Sequence, residues 1–139
     1  MALNSGLRSE MESNSNPARL FSILLVEDER ATLEYMAVIL AKKFPDSILH
    51  TATNGRTGLE LFKEYTPDIV ITDITMPEVS GVQMSKDIRA AKTDTKLIAI
   101  TGKDSDEILF EFDQIIEKPV IINNLFSAIE KCIGLIAKN

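Results

Sequence analysis

Residues 67–77 read PDIVITDITMP. Ile69–Thr72 is an unbroken run of β-branched residues with an acid, Asp73, at its far end. A run this short, with no polar alternation, predicts a strand covered on both faces, as in the middle of a parallel sheet. Working outward, similar apolar runs predict strands at Ser22–Glu27, Ile48–Ala52, Leu97–Ile100 and Gln114–Glu117. Between them lie stretches whose apolar residues recur three and four apart. These predict helices at about Arg30–Phe44, Arg56–Tyr65, Val82–Ala91, Asp104–Glu111 and Asn123–Ala137. The first places Leu33, Met36, Ala37, Leu40 and Phe44 on one stripe and stops before Pro45. The second enters through the Asn54-Gly55 turn and turns Leu59, Phe62 and Tyr65 inward; the fourth opens with Asp104 and Glu107 at capping-box spacing. The last buries Leu125, Ile129, Ile133 and Ile136.

Strands alternating with helices predict an α/β fold: a doubly wound, five-stranded parallel sheet with helices on both faces. Ligands of such sheets bind beyond the carboxyl ends of the strands, where the winding direction reverses. Four strands end on residues with chemical potential there: Glu27-Asp28, Asp73, Thr101 and Lys118. A strand order of 2-1-3-4-5 would set the first and third strands side by side and bring Asp28 to Asp73. Carboxylates so close repel unless a cation intervenes. Magnesium suits the conflict, because it takes oxygen ligands, commonly one or two carboxylates, and keeps room for a phosphoryl oxygen. Lys118 would add a mobile positive charge and Thr101 a hydroxyl donor.

Taken singly, each piece also has a plain structural reading. Glu27-Asp28-Glu29 fits acids favoured at a helix start, Asp73 a turn or cap, Thr101-Gly102 a loop entrance, and Lys118-Pro119 a solvated turn. Their order along the chain, each at a strand end, is what gives them weight together.

The bulk numbers bound the class. At 139 residues the chain is long enough for one domain, and a domain of this size buries roughly 70% of the surface its unfolded form exposes. Its 45% hydrophobic and 26% charged residues are ordinary for a globular protein, and no apolar run approaches the ~20 residues that span a bilayer. A net charge of −6 opposes binding to a nucleic-acid backbone. The lone Cys132 rules out an internal disulfide and fits a reducing, cytoplasmic setting. Residues 1–20, rich in Ser and Asn, read as a disordered leader, with Met11 as an alternative start and the preceding residues as cloning-derived; 21–139 read as the folded domain.

With these residues in order, the chain resembles response-regulator receiver domains of two-component signalling, the group that includes the chemotaxis response regulator. The likeness runs from about Ser22 to Ile136 and rests on ILLVEDE (23–29), PDIVITDITMP, LIAITG (97–102) and IIEKP (115–119), with ATNGRTGLELF (52–62) and MPEVSG (76–81) as scaffold. The resemblance implies the flavodoxin-like order 2-1-3-4-5. It implies Glu27 and Asp28 as the acid pair that holds Mg2+, with Asp73 and the backbone carbonyl of Thr75 as further ligands. Asp73 would be the phosphoacceptor, Thr101 would contact a phosphoryl oxygen, and Lys118 would precede a cis peptide to Pro119. Met76, Pro77 and Gly81 would be scaffold. The phosphoryl group would come from a sensor histidine kinase or phosphotransfer protein, and the same site would later hydrolyse the acyl phosphate.

The match has departures. Where the family carries Tyr or Phe three positions before the lysine, this chain has Ile115, and only 17 positions separate Thr101 from Lys118. The switch region formed by Thr101 and position 115, and the usual output face, are therefore altered. Phe110 and Phe112 read as core rather than as substitutes for the missing ring. Two positions tied to phosphoryl lifetime read Thr75 and Lys103, the latter a solvated loop charge, while His50 reads as structural and Cys132 as buried and inert. With no effector module before Asn139, output would pass through another protein, a phosphorylation-dependent dimer or a phosphate relay, unless the chain is a fragment of a larger regulator. Two rivals remain: a receiver-like contact module that takes no phosphate, and a haloacid-dehalogenase-like phosphatase. The latter wants a second Asp two positions past the nucleophile, where this chain has Thr75.

Overall fold

The structure is a computed structural model and describes residues 20–76, 79–92, 94–102 and 112–137. Among them, five strands run parallel: β1 (Ser22–Val26), β2 (Ile48–Ala52), β3 (Ile69–Asp73), β4 (Lys96–Thr101) and β5 (Gln114–Glu117). Their order is β2-β1-β3-β4-β5, the 2-1-3-4-5 arrangement that the resemblance implies. The described helices are α1 (Arg30–Lys43), α2 (Gly55–Tyr65), α3 (Gly81–Ala91) and α4 (Ile122–Ala137). The helix expected at Asp104–Glu111, Lys103, Phe110, Pro77 and the leader through residue 19 lie outside the described residues.

Because successive strand side chains point to opposite faces, each central strand feeds two cores at once. Ile23, Leu25, Ile69, Ile71, Ile98 and Ile100 pack under Leu33, Met36 and Leu40 of α1 and Leu125, Ile129 and Cys132 of α4. Leu24, Val26, Val70 and Leu97 pack under Phe62 of α2 and Met84 and Ile88 of α3. β3 has no exposed residue, which is why its stretch reads as apolar on both sides. Each fully buried Leu or Ile is worth roughly 1.5–3 kcal/mol, so this double layer is the main force holding the sheet.

Local signals set the helix starts. The side chains of Glu29, Asn54 and Ser80 accept N–H groups of the first turns of α1, α2 and α3, from Thr32, Thr57 and Gln83. The boundaries differ from expectation by a residue. β1 stops at Val26, leaving Glu27 beyond the strand although its N–H still donates to the Ala52 carbonyl (3.1 Å). β3 and β4 extend through Asp73 and Thr101, so those two residues close strands rather than follow them. α2, α3 and α4 each start one residue early.

Tyr65 corrects the expected inward stripe of α2. It sits at the helix end, 47% exposed, with its ring stacked on His50 of the edge strand at 4.2 Å. A ring with a polar tip gains most of its burial from one flat neighbour and keeps its hydroxyl in water. Leu33, Met36, Leu40, Phe62, Leu125 and Ile129 are buried and Phe44, Leu59, Phe112, Ile133 and Ile136 pack against the cores, whereas Ala37 is only partly buried.

Candidate functional site

Register builds the site. β1 and β3 pair in step, Val26 opposite Thr72, so the residues just past them, Glu27-Asp28 and Asp73, leave the sheet side by side. On the other flank Thr101 pairs with Glu117, and the N–H of Lys118 donates to the Thr101 carbonyl at 2.8 Å. The next residue is reached through a cis peptide between Lys118 and Pro119. Three carboxylates and one ammonium are thereby gathered at one sheet edge.

The distances are those of a working cluster. Carboxylate oxygens of Glu27, Asp28 and Asp73 lie within 4.8 Å of one another. Asp73, 2% exposed, accepts the Thr75 N–H on Oδ1 (3.0 Å) and the Lys118 ammonium on Oδ2 (2.7 Å). Both oxygens are thus held by donors, one of them charged. The Glu27 carboxylate is buried too and accepts the Glu29 N–H at 3.0 Å, while Asp28 is exposed.

Electrostatics follow from the crowding. Burial raises the Glu27 carboxyl above its ordinary range; the Glu29 N–H opposes this, Asp73 adds to it, Lys118 opposes it and Asp28 adds to it. The hydrogen bond to Asp73 holds the Lys118 ammonium above the ordinary lysine range. A cluster with three acids and one cation still carries excess negative charge, and its donors are all hard oxygens with no His or Cys among them. Such a donor set fits Mg2+ and does not fit a thiolate-seeking metal.

The remaining expected residues fall around this centre. Thr101 is buried at the end of β4, its hydroxyl donating to the Gly102 carbonyl (3.2 Å). Thr75 is exposed, and Met76 is buried in the α2/α3 core. Gly81 packs so closely on the Asp73 carbonyl that an added Cβ would lie 2.6 Å from it. Ile115 is 50% exposed, on the strand face opposite buried Ile116. Cys132 is fully buried, and burial pushes its thiol up to about 11. Sequence reasoning missed the Thr75 N–H, which holds the Asp73 carboxylate two residues along the chain. It also missed Glu29 as the α1 cap, where bonds from Thr32 hold its carboxyl below the usual range. Only the acid's place just before the helical stripe signals that cap.

Comparison with known proteins gives a family match. The sequence pattern of the response regulator receiver domain family matches residues 23–130. The chain is 33% identical over 88 residues to the chemotaxis protein CheY of Thermotoga maritima, covering 63% of this chain and 73% of that one. It is 33% identical over 119 residues to the regulatory protein AtoC of Escherichia coli, covering 81% of this chain but only 25% of AtoC. Among solved structures it is similar to the response regulator TrrA of Thermotoga maritima in complex with Mg(2+)-BeF. That match has a TM-score of 0.73 at 30% identity, covering 81% of this chain and 98% of that one.

Proposed function

Because the chain belongs to the response regulator receiver domain family, we propose that Asp73 accepts a phosphoryl group from a phosphohistidine on a sensor histidine kinase or phosphotransfer protein. One observation carries this reading: a buried Asp73 whose two oxygens are held by Thr75 and Lys118, within a cluster of three carboxylates.

In the reaction, an Asp73 carboxylate oxygen forms a bond to phosphorus as the bond from phosphorus to the imidazole nitrogen breaks, and the electron pair stays with the imidazole. The Thr75 N–H keeps the carboxylate from rotating, so the nucleophile is aimed before the donor arrives. Lys118, its side chain 45% exposed and already on Asp73 Oδ2, can move with the charge onto the incoming oxygens. Thr101, one strand over, would offer its hydroxyl to a phosphoryl oxygen of the product. Glu27, Asp28, Asp73 and the Thr75 carbonyl would hold Mg2+. When bound, the ion would neutralise the crowded acids and the charge on the transferring group. Hydrolysis of the acyl phosphate at the same site would end the signal.

Phosphorylation would bias a protein-interaction surface read by another protein, or by a second copy of the chain in a phosphorylation-dependent dimer, with the unphosphorylated chain monomeric. With Ile115 in place of a switching ring, Thr101 carries that change. No described helix is long and apolar enough to cross a membrane, and the domain, taken as 21–139, would work in the cytoplasm without direct contact to nucleic acid.

The test is intact mass after incubation with Mg2+ and phosphoramidate. Wild type should gain one phosphate and Asp73→Asn none. A chain that stays unlabelled where a control receiver labels is a contact-only module, and turnover of a phosphomonoester would mark a phosphatase; either outcome ends the proposal.

A further inference from the structure

We propose that Gly55, on a helix that contributes nothing to the acid cluster, is a positioning residue for the phosphoacceptor, because its missing side chain seats the loop that carries Thr75. The proposal rests on the reading of Asp73 as the acceptor. An added Cβ on Gly55 would lie 2.3 Å from the Val79 carbonyl oxygen and 2.9 Å from the Val79 Cβ, where ordinary contacts begin at 3.4 Å. The backbone at Gly55 has no positive φ, so space rather than conformational freedom demands glycine here.

Val79 belongs to the segment that leaves β3 at Ile74 and re-enters the fold at α3. Its near end carries the Thr75 N–H that holds Asp73 Oδ1 (3.0 Å). Its far end is fastened by Ser80, which caps α3, and by the Gly81 N–H, which donates to the Ile74 carbonyl (3.1 Å). The start of α2 is therefore the wall against which this loop rests. That wall is stiff: Asn54 accepts the Thr57 N–H (2.7 Å), Gly58 packs against Met84 and Val26, and Phe62 is buried in the core. Val79 is only partly buried. A methyl group at position 55 meets the Val79 backbone, so Val79 and, through the hydrogen bond from Gly81 to Ile74, the Ile74-Thr75 end are displaced; a displacement of about 1 Å can cost about 100-fold when it misaligns reacting groups.

Gly58 supplies the control within the same helix. A Cβ there would meet the Met84 Sδ at 3.0 Å and the Val26 Cγ2 at 3.1 Å, which are side-chain atoms of the core and not loop backbone. Both Gly55→Ala and Gly58→Ala should lower the melting temperature, but only Gly55→Ala should disturb the site.

The decisive measurement is amide hydrogen exchange of Thr75 by NMR, in the full chain without metal, alongside the rate of phosphorylation by phosphoramidate and the Mg2+ dissociation constant. Gly55→Ala should expose the Thr75 amide to exchange about 10-fold or more faster, weaken Mg2+ binding and slow phosphorylation by about 10–100-fold, while Gly58→Ala leaves all three near wild type. Val79→Gly, which keeps that carbonyl but removes the side chain packed over Gly55, should loosen the same end and expose the Thr75 amide in the same sense, and it carries the test if Gly55→Ala does not fold. Equal effects of the two alanine variants, or an unchanged Thr75 amide in Gly55→Ala or Val79→Gly, overturn the proposal. Because the amide readout needs no phosphate, failure of wild type to be phosphorylated sinks the reading of Asp73 without deciding the role of Gly55.

Discussion

Glu27 sits in an environment that works against its charge. It is buried beside Asp73 and Asp28, and its carboxyl is raised chiefly by that burial. A carboxyl whose folded pKa lies above its unfolded value of 4.5 contributes stability below that value and loses it as pH rises through the folded pKa. At neutral pH its charge therefore opposes the metal-free fold. Glu27→Gln keeps an oxygen for the Glu29 N–H and removes the charge, so it should raise metal-free stability at pH 7. The gain should shrink as pH falls toward 4.5, and Mg2+ should bind more weakly. Urea unfolding with a chelator at pH 7 and pH 5 checks the sign; a variant no more stable than wild type at pH 7 would show the cluster is not strained. The identity of this acid was plain in ILLVEDE, but its burial was not, since burial depends on which strand lies next door.

Among the elements, β4 and β5 are locked by a residue that no motif announces. Asp113, just before β5, donates its N–H to the Leu97 carbonyl (2.8 Å), and its carboxylate accepts the Leu97 N–H (2.8 Å). Arg89 of α3 pairs with the same carboxylate at 3.3 Å and donates to the Thr95 carbonyl at 2.6 Å. One residue thus joins two strands and a helix at the end of the sheet away from the acids. Asp113→Ala leaves the Leu97 N–H without its acceptor at a buried strand, which should cost about 1–3 kcal/mol in urea unfolding. A loss under 0.5 kcal/mol, read as ~0 within error, would mean water replaces the carboxylate. Strands and helix types were readable because period and β-branching are local: IVIT at 69–72 and the Leu33, Met36, Leu40 stripe are decided within a few residues. The Asp113 clamp, the Tyr65 stack on His50 and the Gly55 wedge depend on residues brought together by folding, and nothing in their own neighbourhoods marks them. The acceptor site lies between these cases, since its residues are marked by their strand ends and their meeting follows from strand order.

For the whole molecule, the proposed metal would be linked to the fold. A ligand that binds only the native state at ~100 times its dissociation constant stabilises it by about 2.7 kcal/mol. Saturating Mg2+ should shift the unfolding midpoint accordingly, and Asp28→Ala, which alters an exposed side chain and leaves the core intact, should remove most of that shift. An undiminished shift would move the ion away from the acids. The parallel sheet adds a consequence of its own. Asp28, Asp73 and Lys118 follow one another at intervals of 45 positions in sequence, at the carboxyl ends of three different strands. No short peptide cut from the chain holds all three, and the cluster forms only when those three strands come together in one sheet. If Asp73 is the acceptor, a nicked or half-folded copy would be mute: it would neither take up a signal in error nor hold one after its partners have let go.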